Sequence, residues 1–292
     1  MPALTTDDCY KHAGRFSERV ALITGAGSGF GRALAIEFVK LGAYVVLGDV
    51  DMKGLDETCG ILVGIAGDGV FCKRKCDVTS WEDQLALFDL GVKSYGHIDI
   101  VLPNAGVTEV GRFDPREDGP DTGAPTKPNM KTLDIDLIGV LYTARIALWH
   151  WEHDKRADKG LRALVLTGSM STFYGSDSGV MYGVAKAGML GIMKGVMPVC
   201  DELNIRVATV CPYFSKTGIL TDDFVHPNPS FGFAKVEDVV SAFIAGISDP
   251  DPKTNYGAYL IPDAKGVYRM EATRNFVGAE AARRMKPKAA KL

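Results

Sequence analysis

No uninterrupted run of about 18 apolar residues occurs in the 292-residue chain, and a membrane-spanning helix needs a run of roughly that length. The chain also lacks a large excess of either charge, because 33 Lys and Arg stand against 36 Asp and Glu. A formal net charge of -3 gives no reason to expect nucleic acid or an anionic membrane as a partner. At the N-terminus no basic region precedes an apolar one, so we expect no secretory signal and an intracellular protein.

Cysteine is scarce, and its positions argue against a disulfide framework or a metal site. The six cysteines are scattered along the chain as Cys9, Cys59, Cys72, Cys76, Cys200 and Cys211. We expect them to be buried free thiols. Cys72 and Cys76 are four residues apart but have no second pair nearby, and His150 and His153 fall at the charged end of a predicted helix. No metal site is therefore predicted.

A Pro- or Gly-rich linker is also missing, which predicts a single domain over residues 1–292. Apolar runs of strand length are predicted to form strands at 20–24, 44–48, 70–76, 98–102, 161–167, 205–210 and 257–261. Amphipathic stretches between them are predicted to form helices at 29–41, 52–64, 80–95, 129–153, 181–201 and 236–247. Continuous apolar strands that alternate with helices indicate a parallel α/β sheet with right-handed crossovers and helices on both faces.

Three segments interrupt this alternation and are predicted to be irregular. Residues 107–128, rich in Asp, Gly and Pro, are predicted to form a polar insertion loop. Residues 213–235 follow a strand end as a second loop, on the substrate side, and residues 263–292 form a C-terminal tail. The core of the domain is therefore predicted at about 15–262.

Four glycines at alternate positions follow the first predicted strand, in the stretch VALITGAGSGFGR. A strand, a glycine-rich turn and a helix form a phosphate site, because the helix N-terminus offers unpaired N–H groups and glycine permits close approach. The spacing is Thr24-Gly25-x-x-x-Gly29-x-Gly31, which a tight strand-to-helix turn without a ligand would also allow. The next predicted strand ends at Asp49, where a ribose hydroxyl needs a carboxylate acceptor. Because that carboxylate would repel a 2′-phosphate, the sequence favours NAD(H) over NADP(H).

A second group of residues suits acid–base chemistry on an alcohol or a ketone. Tyr182 and Lys186 are four residues apart and therefore lie on one face of a predicted helix. An ammonium close to a phenol stabilises the phenolate. Ser169 ends a strand thirteen residues before Tyr182, and its hydroxyl is suited to hold the substrate oxygen. Since surface helices also carry Tyr-x-x-x-Lys pairs, the assignment depends on the serine and the glycine turn.

These motifs, taken in order, resemble those of the short-chain dehydrogenase/reductase family over about residues 15–262. The matching motifs are Thr24-Gly25-x-x-x-Gly29-x-Gly31, Asp77, Asn104-Ala105-Gly106, Ser169 and Tyr182-x-x-x-Lys186. The resemblance implies a Rossmann fold with a doubly wound, seven-stranded parallel sheet and NAD(P)-dependent hydride transfer. It further implies that Tyr182 gives or takes the proton, that Ser169 orients the substrate oxygen and that Lys186 holds the nicotinamide ribose.

The resemblance also assigns the cofactor contacts position by position. Asp77 would meet the adenine, Asn104 would steady the central strand, and Thr217 would bind the carboxamide. The full predicted cofactor-binding set is Thr24, Gly25, Gly27, Ser28, Gly29, Phe30, Gly31, Asp49, Asp77, Val78, Asn104, Ala105, Gly106, Tyr182, Lys186, Pro212 and Thr217.

Two positions depart from the family pattern. Asp136 stands in the long helix where the family usually has an Asn that supports a water between the lysine and solvent, and we include it among the catalytic residues. Its negative charge, acting through such a water, would oppose the influence of Lys186 on Tyr182. The second departure is a tyrosine in place of the glycine that usually follows Pro212. The predicted substrate-pocket residues are Ser171, Tyr174 and Tyr213.

Together these features predict an NAD(H)-dependent oxidoreductase that interconverts a secondary alcohol and a ketone on a largely apolar small molecule. The stretches NAGV and LIGVLYT, with the long polar insertion between them, resemble fungal family members similar to 15-hydroxyprostaglandin dehydrogenase. Two alternatives stay open, namely a non-redox cyclase or isomerase on the same scaffold and a cofactor-sensing binding protein without turnover.

Two further expectations concern assembly and location. In the family, the helices predicted at 129–153 and 181–201 often form a subunit interface, so a homodimer or homotetramer is expected. The C-terminal Ala290-Lys291-Leu292 resembles the Ser-Lys-Leu peroxisomal address. A peroxisomal location is therefore expected, with an ordinary basic tail on a cytoplasmic protein as the alternative.

Overall fold

The computed structural model describes residues 3–111, 113–114, 123–157, 159–176, 179–217 and 232–270. These residues form one nine-stranded sheet in the order β1-β9-β8-β7-β6-β5-β2-β3-β4. The strands are β1 (Ala3–Leu4), β2 (Val20–Thr24), β3 (Tyr44–Asp49), β4 (Phe71–Lys75), β5 (Ile100–Leu102), β6 (Ala163–Thr167), β7 (Arg206–Pro212), β8 (Ala258–Ile261) and β9 (Val267–Met270).

The described helices lie on both faces of this sheet. They are α1 (Thr6–Tyr10), α2 (Gly29–Lys40), α3 (Met52–Ala66), α4 (Trp81–Tyr95), α5 (Lys131–Leu133), α6 (Gly139–Glu152), α7 (Ser171–Tyr174), α8 (Val180–Glu202) and α9 (Val236–Ser248). Short 3₁₀ turns occur at Ala13–Phe16, Asp68–Val70 and Pro252–Thr254. Alternate strand residues pack in opposite directions, since Ala21 and Ile23 join the core beneath α2, α3 and α9, whereas Val20 and Leu22 join the core beneath α4, α6 and α8.

The seven predicted parallel strands are confirmed, but the sheet is larger than predicted. Strand β9 pairs antiparallel with β8, and β1 pairs antiparallel with β9 through Ala3 opposite Tyr268. The prediction that everything after residue 262 is an irregular tail is therefore wrong for β9, and the ordered region begins before residue 15. Strands of two and four residues are too short to produce a clear hydrophobic period, and their pairing partners are far apart in the sequence.

The predicted helix at 129–153 is not one continuous α-helix. Between α5 and α6 the chain forms a π-helical turn, Asp134–Ile138, in which the amide of Gly139 donates to the carbonyl of Asp134 five residues back. Such wider turns occur as single interruptions of α-helices, frequently at functional sites. Asp136 lies inside this turn and is buried.

Helix α8 is the one described helix that is long and apolar enough, by length and composition, to cross a membrane. About 39% of its most apolar window is buried within the molecule. One face, including Met189 and Met193, packs against the sheet, and the helix also carries the buried Lys186. These contacts are those of a core helix in a globular domain.

Parts of the predicted irregular segments lie outside the described residues. These parts are 112 and 115–122 of the insertion loop, 218–231 of the second loop and 271–292 of the tail. The C-terminal tripeptide Ala290-Lys291-Leu292 belongs to this last segment.

An ion-pair cluster ties the chain together near the amino end of β5. Asp99 is fully buried and accepts a hydrogen bond from the backbone amide of Val20 at 3.1 Å. Its two oxygens also lie 2.9 Å from Arg156 Nη2 and 2.9 Å from His97 Nε2. Arg156 pairs in turn with Asp154, so the cluster fixes the segment between α6 and β6.

Candidate active site

A cleft lies where the parallel strands end in the direction of their carboxyl termini. The chain runs from β2 outward to β3 and β4, then returns to place β5 on the other side of β2. Such a reversal leaves a crevice at the carboxyl ends of the two central strands, which is where ligands bind in open α/β sheets. The cleft, about 380 Å³ in volume, contains residues from the glycine turn and from the ends of β3, β5, β6 and β7.

The glycine turn leaves no space for side chains at two of its positions. A Cβ on Gly31 would lie 2.0 Å from the carbonyl oxygen of Gly25. A Cβ on Gly25, whose φ is +68°, would lie 2.7 Å from the Cα of Ala105. The turn is therefore packed directly against the segment after β5, while Ser28, Gly29 and Phe30 line the cleft at the start of α2.

Thr24 and Asn104 fasten these two segments together. The backbone amides of Asn104 and Ala105 both donate to Thr24 Oγ1, at 3.0 and 3.1 Å. The Asn104 side-chain amide donates to the backbone carbonyl of Thr24 at 3.0 Å. Thr24 and the glycines at 27 and 31 shape the turn from behind, whereas Gly25, Asn104 and Ala105 line the cleft.

Asp49 ends β3 and faces the same cleft. Its Oδ2 accepts from the amide of Gly27 at 2.8 Å, and its Oδ1 accepts from the amide of Asp51 at 2.9 Å. These bonds hold the carboxylate beside the glycine turn. The nearest cation in α2, Arg32, is bonded to the carbonyl of Gly27 and to Glu57.

The predicted adenine side is more open. Asp77 is exposed, and its Oδ1 accepts from the amide and the hydroxyl of Thr79 at 2.9 and 2.7 Å. Val78 is buried, and a Cβ on Gly139 would lie 2.9 Å from its Cγ2. Asp77 and Val78 both line the cleft, next to Val50, which the sequence did not single out.

Lys186 and Asp136 form a buried ion pair in the cleft. The Lys186 Nζ lies 3.0 Å from Asp136 Oδ2 and donates to the carbonyl of Thr167 at 3.3 Å. Burial is the largest single effect and would lower the pKa of Lys186, but the charges of Asp136 and Tyr182 and the hydrogen bond to Asp136 together raise it. The contact is direct, whereas the sequence led us to expect an effect through a water. The other Asp136 oxygen accepts from the amide of Val107 at 2.8 Å.

Tyr182 and Ser169 line the cleft with this ion pair. The Lys186 Nζ lies 5.5 Å from the centre of the Tyr182 ring. Ser169 is held at the end of β6, where its Oγ accepts from the amide of Ser171 at 3.1 Å and its amide donates to Thr172 Oγ1 at 3.0 Å. A phenol, a hydroxyl and an ammonium in one cleft can orient an oxygen and move a proton to or from it.

The predicted substrate residues divide into two groups. Ser171 and Tyr213 line the cleft, together with Pro212 and Thr217, whereas Tyr174 does not and is 66% exposed. The cleft also contains residues that the sequence did not single out, namely Val50, Cys76, Ile135, Thr167, Gly168 and Ser176. Five more, Val107, Thr108, Glu109, Phe214 and Ser215, belong to the 107–128 and 213–235 loops, between which the sequence predicted the substrate pocket. Several residues of the cleft directly follow the Asn-Ala-Gly motif or flank Tyr213. Closeness in sequence to a motif is therefore the feature that could have predicted them.

Within the described ranges, His, Cys, Asp and Glu side chains form no group of three or more that would hold a metal ion. The six cysteines are free thiols, five of them buried as expected and Cys72 only half-buried, and burial raises the pKa of the Cys211 thiol to about 11. The cysteine that lines the cleft is Cys76, and burial raises the pKa of its thiol to about 12, so this thiol stays protonated near neutral pH.

Comparison with known proteins gives consistent matches. The family model described as short chain dehydrogenase matches residues 19–226. Short-chain dehydrogenase/reductase ascJ of Acremonium egyptiacum is 31% identical over 215 residues, which are 70% of this chain and 65% of that protein. The cis-4-hydroxycyclohexanecarboxylate dehydrogenase of Sinomonas cyclohexanicum is 30% identical over 205 residues, covering 70% of this chain and 76% of that one.

A solved structure supports the fold independently. The 3-ketoacyl-(acyl-carrier-protein) reductase from Brucella melitensis, complexed with NADH, superposes with a TM-score of 0.68 at 24% identity. The match covers 80% of this chain and 92% of that one. The chain spans less than two thirds of the length of several curated relatives, with coverages of 65, 27 and 63%.

Proposed function

Because the chain belongs to the short-chain dehydrogenase family, we propose that it is an NAD(H)-dependent oxidoreductase that interconverts a secondary alcohol and a ketone. The observation that carries this proposal is the placement of Ser169, Tyr182 and Lys186 in one cleft beside the glycine turn. A hydroxyl, a phenol and an ammonium at that place suit proton exchange with an alcohol oxygen.

The residues of the cleft fit NAD(H). The glycine turn brings bare backbone to the N-terminus of α2, where N–H groups favour a pyrophosphate. The carboxylate of Asp49 lies at the end of β3, where it can accept from a ribose hydroxyl and would repel a 2′-phosphate. The reductase from Brucella melitensis, of related fold, was solved with NADH.

In the proposed mechanism, the bound nicotinamide supplies or accepts the hydride. Tyr182 donates a proton to the ketone oxygen during reduction and accepts it from the hydroxyl during oxidation. Ser169 holds that oxygen, while the Lys186 ammonium favours the deprotonated form of the phenol. Asp136 keeps Lys186 charged, because its carboxylate is 3.0 Å from Nζ in a buried environment.

The substrate that we propose is a largely apolar small molecule with a ring-bound oxygen. Tyr213 and Phe214 form an aromatic contact with ring centres 4.6 Å apart, and both line the cleft. One relative is named for its action on a hydroxylated cyclohexane carboxylate, and ascJ is fungal. A closer relation to fungal members similar to 15-hydroxyprostaglandin dehydrogenase is part of the same proposal.

The test combines cofactor binding with turnover. Purified protein should bind NADH and consume it with at least one ketone from a panel of cyclohexanone and larger cyclic ketones. Tyr182→Phe should abolish that consumption and leave NADH affinity within about 3-fold. The matched control is Tyr142→Phe, in α6 and outside the cleft, where the Tyr142 ring packs on Trp81 at the start of α4. An active Tyr182→Phe enzyme would disprove the mechanism.

A non-redox cyclase or isomerase on the same scaffold is the second candidate. The direct Asp136–Lys186 pair favours it, because an ammonium whose charge is compensated by a neighbouring carboxylate supports the phenolate less strongly. Conversion of a substrate without any change in NADH absorbance would favour this candidate over the first. A cofactor-sensing binding protein would bind NADH and convert nothing in the panel.

We also propose a homodimer or homotetramer that assembles through α6 and α8. Exposed apolar side chains on these helices, including Leu141, Trp149, Val184 and Val199, are suited to pack against a second copy. Size-exclusion chromatography with light scattering tests this assembly.

We further propose a peroxisomal location, with Ala290-Lys291-Leu292 as the targeting signal. Imaging the full chain with and without the tripeptide tests this location.

A further inference from the structure

We propose that Glu109 is a positioning residue that caps α8 from another part of the chain and thereby sets the place of Tyr182. The inference rests on the proposed function, since it concerns the residue that exchanges the proton. Glu109 lies in the segment after β5 and lines the cleft.

The geometry of the helix start points to this role. Helix α8 begins at Val180, and its N-cap residue, Gly179, has no side chain to accept from the first amides. The Glu109 carboxylate takes that place, because Oε2 accepts from the amide of Tyr182 at 2.7 Å and Oε1 from the amide of Met181 at 3.3 Å. These are the second and third amides of the helix, the ones that a local N-cap side chain would normally bond.

The glycine at position 179 leaves room for this arrangement. A Cβ there would lie 2.5 Å from Glu109 Oε2 and 2.7 Å from Glu109 Cβ. Its φ of -176° is ordinary extended backbone, so other residues could adopt the conformation if the carboxylate were gone. The Glu109 side chain therefore occupies the space that a side chain at position 179 would need.

The segment that carries Glu109 is held at two further points. The amide of Val107 donates to Asp136 at 2.8 Å, and the amide of Val110 donates to Thr132 Oγ1 at 2.9 Å. The hydroxyl of Thr132 donates back to the carbonyl of Thr108 at 3.1 Å. Because this anchored segment forms one wall of the cleft, Glu109 links that wall to the first turn of the helix that bears Tyr182.

The expected effect follows from position in the helix. Tyr182 is in the first turn of α8, where frayed amides would let the phenol move, while Lys186 is a full turn further on and is fixed by Asp136. A carboxylate at a helix N-terminus also interacts favourably with the helix dipole. A displacement of about 1 Å at a reacting group can cost about 100-fold in rate.

Kinetics of two variants form the first arm of the test. Glu109→Ala should lower kcat by about 10- to 100-fold with a change in NADH affinity below about 3-fold, because Glu109 is not among the predicted cofactor-binding residues. Glu109→Gln keeps an oxygen acceptor and should retain kcat within about 5-fold, with an unchanged pH profile. Loss of activity in Glu109→Gln equal to that in Glu109→Ala would overturn the positioning role and indicate that the carboxylate itself exchanges a proton.

The second arm of the test moves the capping carboxylate from Glu109 to position 179. Gly179→Asp alone should impair turnover, because its side chain would collide with Glu109. The double variant Glu109→Ala with Gly179→Asp should recover most of the lost kcat, since an N-cap Asp bonds the same two amides. Failure of the double variant to exceed Glu109→Ala would count against the proposal.

Amide hydrogen exchange separates this inference from the proposed function. Exchange in the peptide covering 179–186 should become at least about 5-fold faster in Glu109→Ala, return to the wild-type rate in the double variant and change little in Glu109→Gln. This readout does not depend on turnover. An inactive wild-type protein would therefore refute the proposed reaction alone, whereas unchanged exchange in Glu109→Ala would refute the cap.

Discussion

Asp136 places a buried negative charge directly on the cation that supports Tyr182. The side chains of Asp136 and Lys186 are 0 and 7% exposed, so water screens their attraction poorly. The carboxylate raises the pKa of Lys186 against the lowering effect of burial. Lys186 therefore stays protonated to alkaline pH. The negative charge of Asp136 nevertheless cancels part of the electrostatic effect of the ammonium on the Tyr182 phenol.

Replacement of Asp136 by Asn should shift the oxidation reaction to lower pH. The substitution removes a negative charge that favours protonated neighbours, so the base form needed for alcohol oxidation becomes available earlier. In the pH profile of kcat/KM for oxidation, we expect the acidic limb to shift to lower pH by about 0.5–1 unit. The same charge in the unmodified protein should favour ketone reduction near neutrality.

Glu152→Gln, which removes a charge at the far end of α6, is the control for this experiment. Thermal unfolding of Asp136→Asn should be measured alongside, because loss of one partner of a buried pair can destabilise by about 3–5 kcal/mol. A limb that stays in place or moves upward would show that Asp136 does not act on the site in this way.

Asp49 should determine the choice between the two nicotinamide dinucleotides. NADPH is expected to bind at least about 100-fold more weakly than NADH, because its 2′-phosphate would meet a carboxylate. Asp49→Ser should narrow the gap to about 10-fold, while Asp51→Ser, which removes an acid outside the cleft, should leave it unchanged. Equal affinities of the unmodified protein for the two cofactors, measured by calorimetry, would refute this assignment.

At the scale of elements, the glycine turn depends on close backbone packing. In Gly31→Ala the new methyl group would lie 2.0 Å from the carbonyl oxygen of Gly25, and backbone cannot move aside as a flexible side chain can. NADH affinity should fall by at least about 100-fold, with a lower melting temperature.

A glycine with open space provides the contrast. Gly64 lies in α3, and a methyl group added there would have no neighbour within 4 Å, so Gly64→Ala should bind NADH normally. It should also be slightly more stable, because Ala favours a helix by up to about 1 kcal/mol over Gly. Normal cofactor binding by Gly31→Ala would mean that the turn is not the pyrophosphate site.

The elements that the sequence predicted well are those with a strong local pattern. The apolar runs of β2, β3, β6 and β7 and the amphipathic helices were placed within a few residues of their bounds. Strand β9 was missed because its four residues, VYRM, mix polarity and gain their place only by pairing with β8. The π turn was missed because its residues continue the helical period, and only the hydrogen-bond spacing reveals it.

The residues of the candidate site differ in the same way. Gly25, Asn104, Ser169 and Tyr182 belong to fixed spacings, so the sequence alone located them. Glu109 belongs to no spacing, since its two partners are more than 70 residues away and are backbone amides rather than side chains. Contacts of that kind depend on the folded chain and leave no local pattern in the sequence.

At the scale of the whole molecule, the two ends of the sheet serve different purposes. The carboxyl ends of the strands form the cleft, while the amino end of β5 carries the Asp99 cluster. Residues at that second end are expected to affect stability without affecting chemistry.

Asp99→Asn should therefore destabilise the protein and leave NADH affinity unchanged. The partners of Asp99 are 23–28% exposed, so the expected loss of unfolding free energy is about 2 kcal/mol, between the values for exposed and buried pairs. In a chain of this size such a loss lowers the melting temperature by about 4–8 °C. The exposed Asp56→Asn, which removes the pair with Lys73, is the control and should shift it by less than about 2 °C. Weaker NADH binding by Asp99→Asn would contradict this separation.

The π turn has a consequence for chain length. A turn closed over five residues holds one residue more than an α-helical turn. Asp134–Ile138 is therefore equivalent to a one-residue insertion that the helix accommodates locally. Deleting Ile135 would let the helix become regular while Thr143 and Trp151 keep their packing. Deleting one residue inside α6 would instead rotate everything beyond it by about 100° and turn Trp151 out of the core. The protein should therefore fold after deletion of Ile135, although with impaired catalysis. It should fail to fold after a one-residue deletion inside α6.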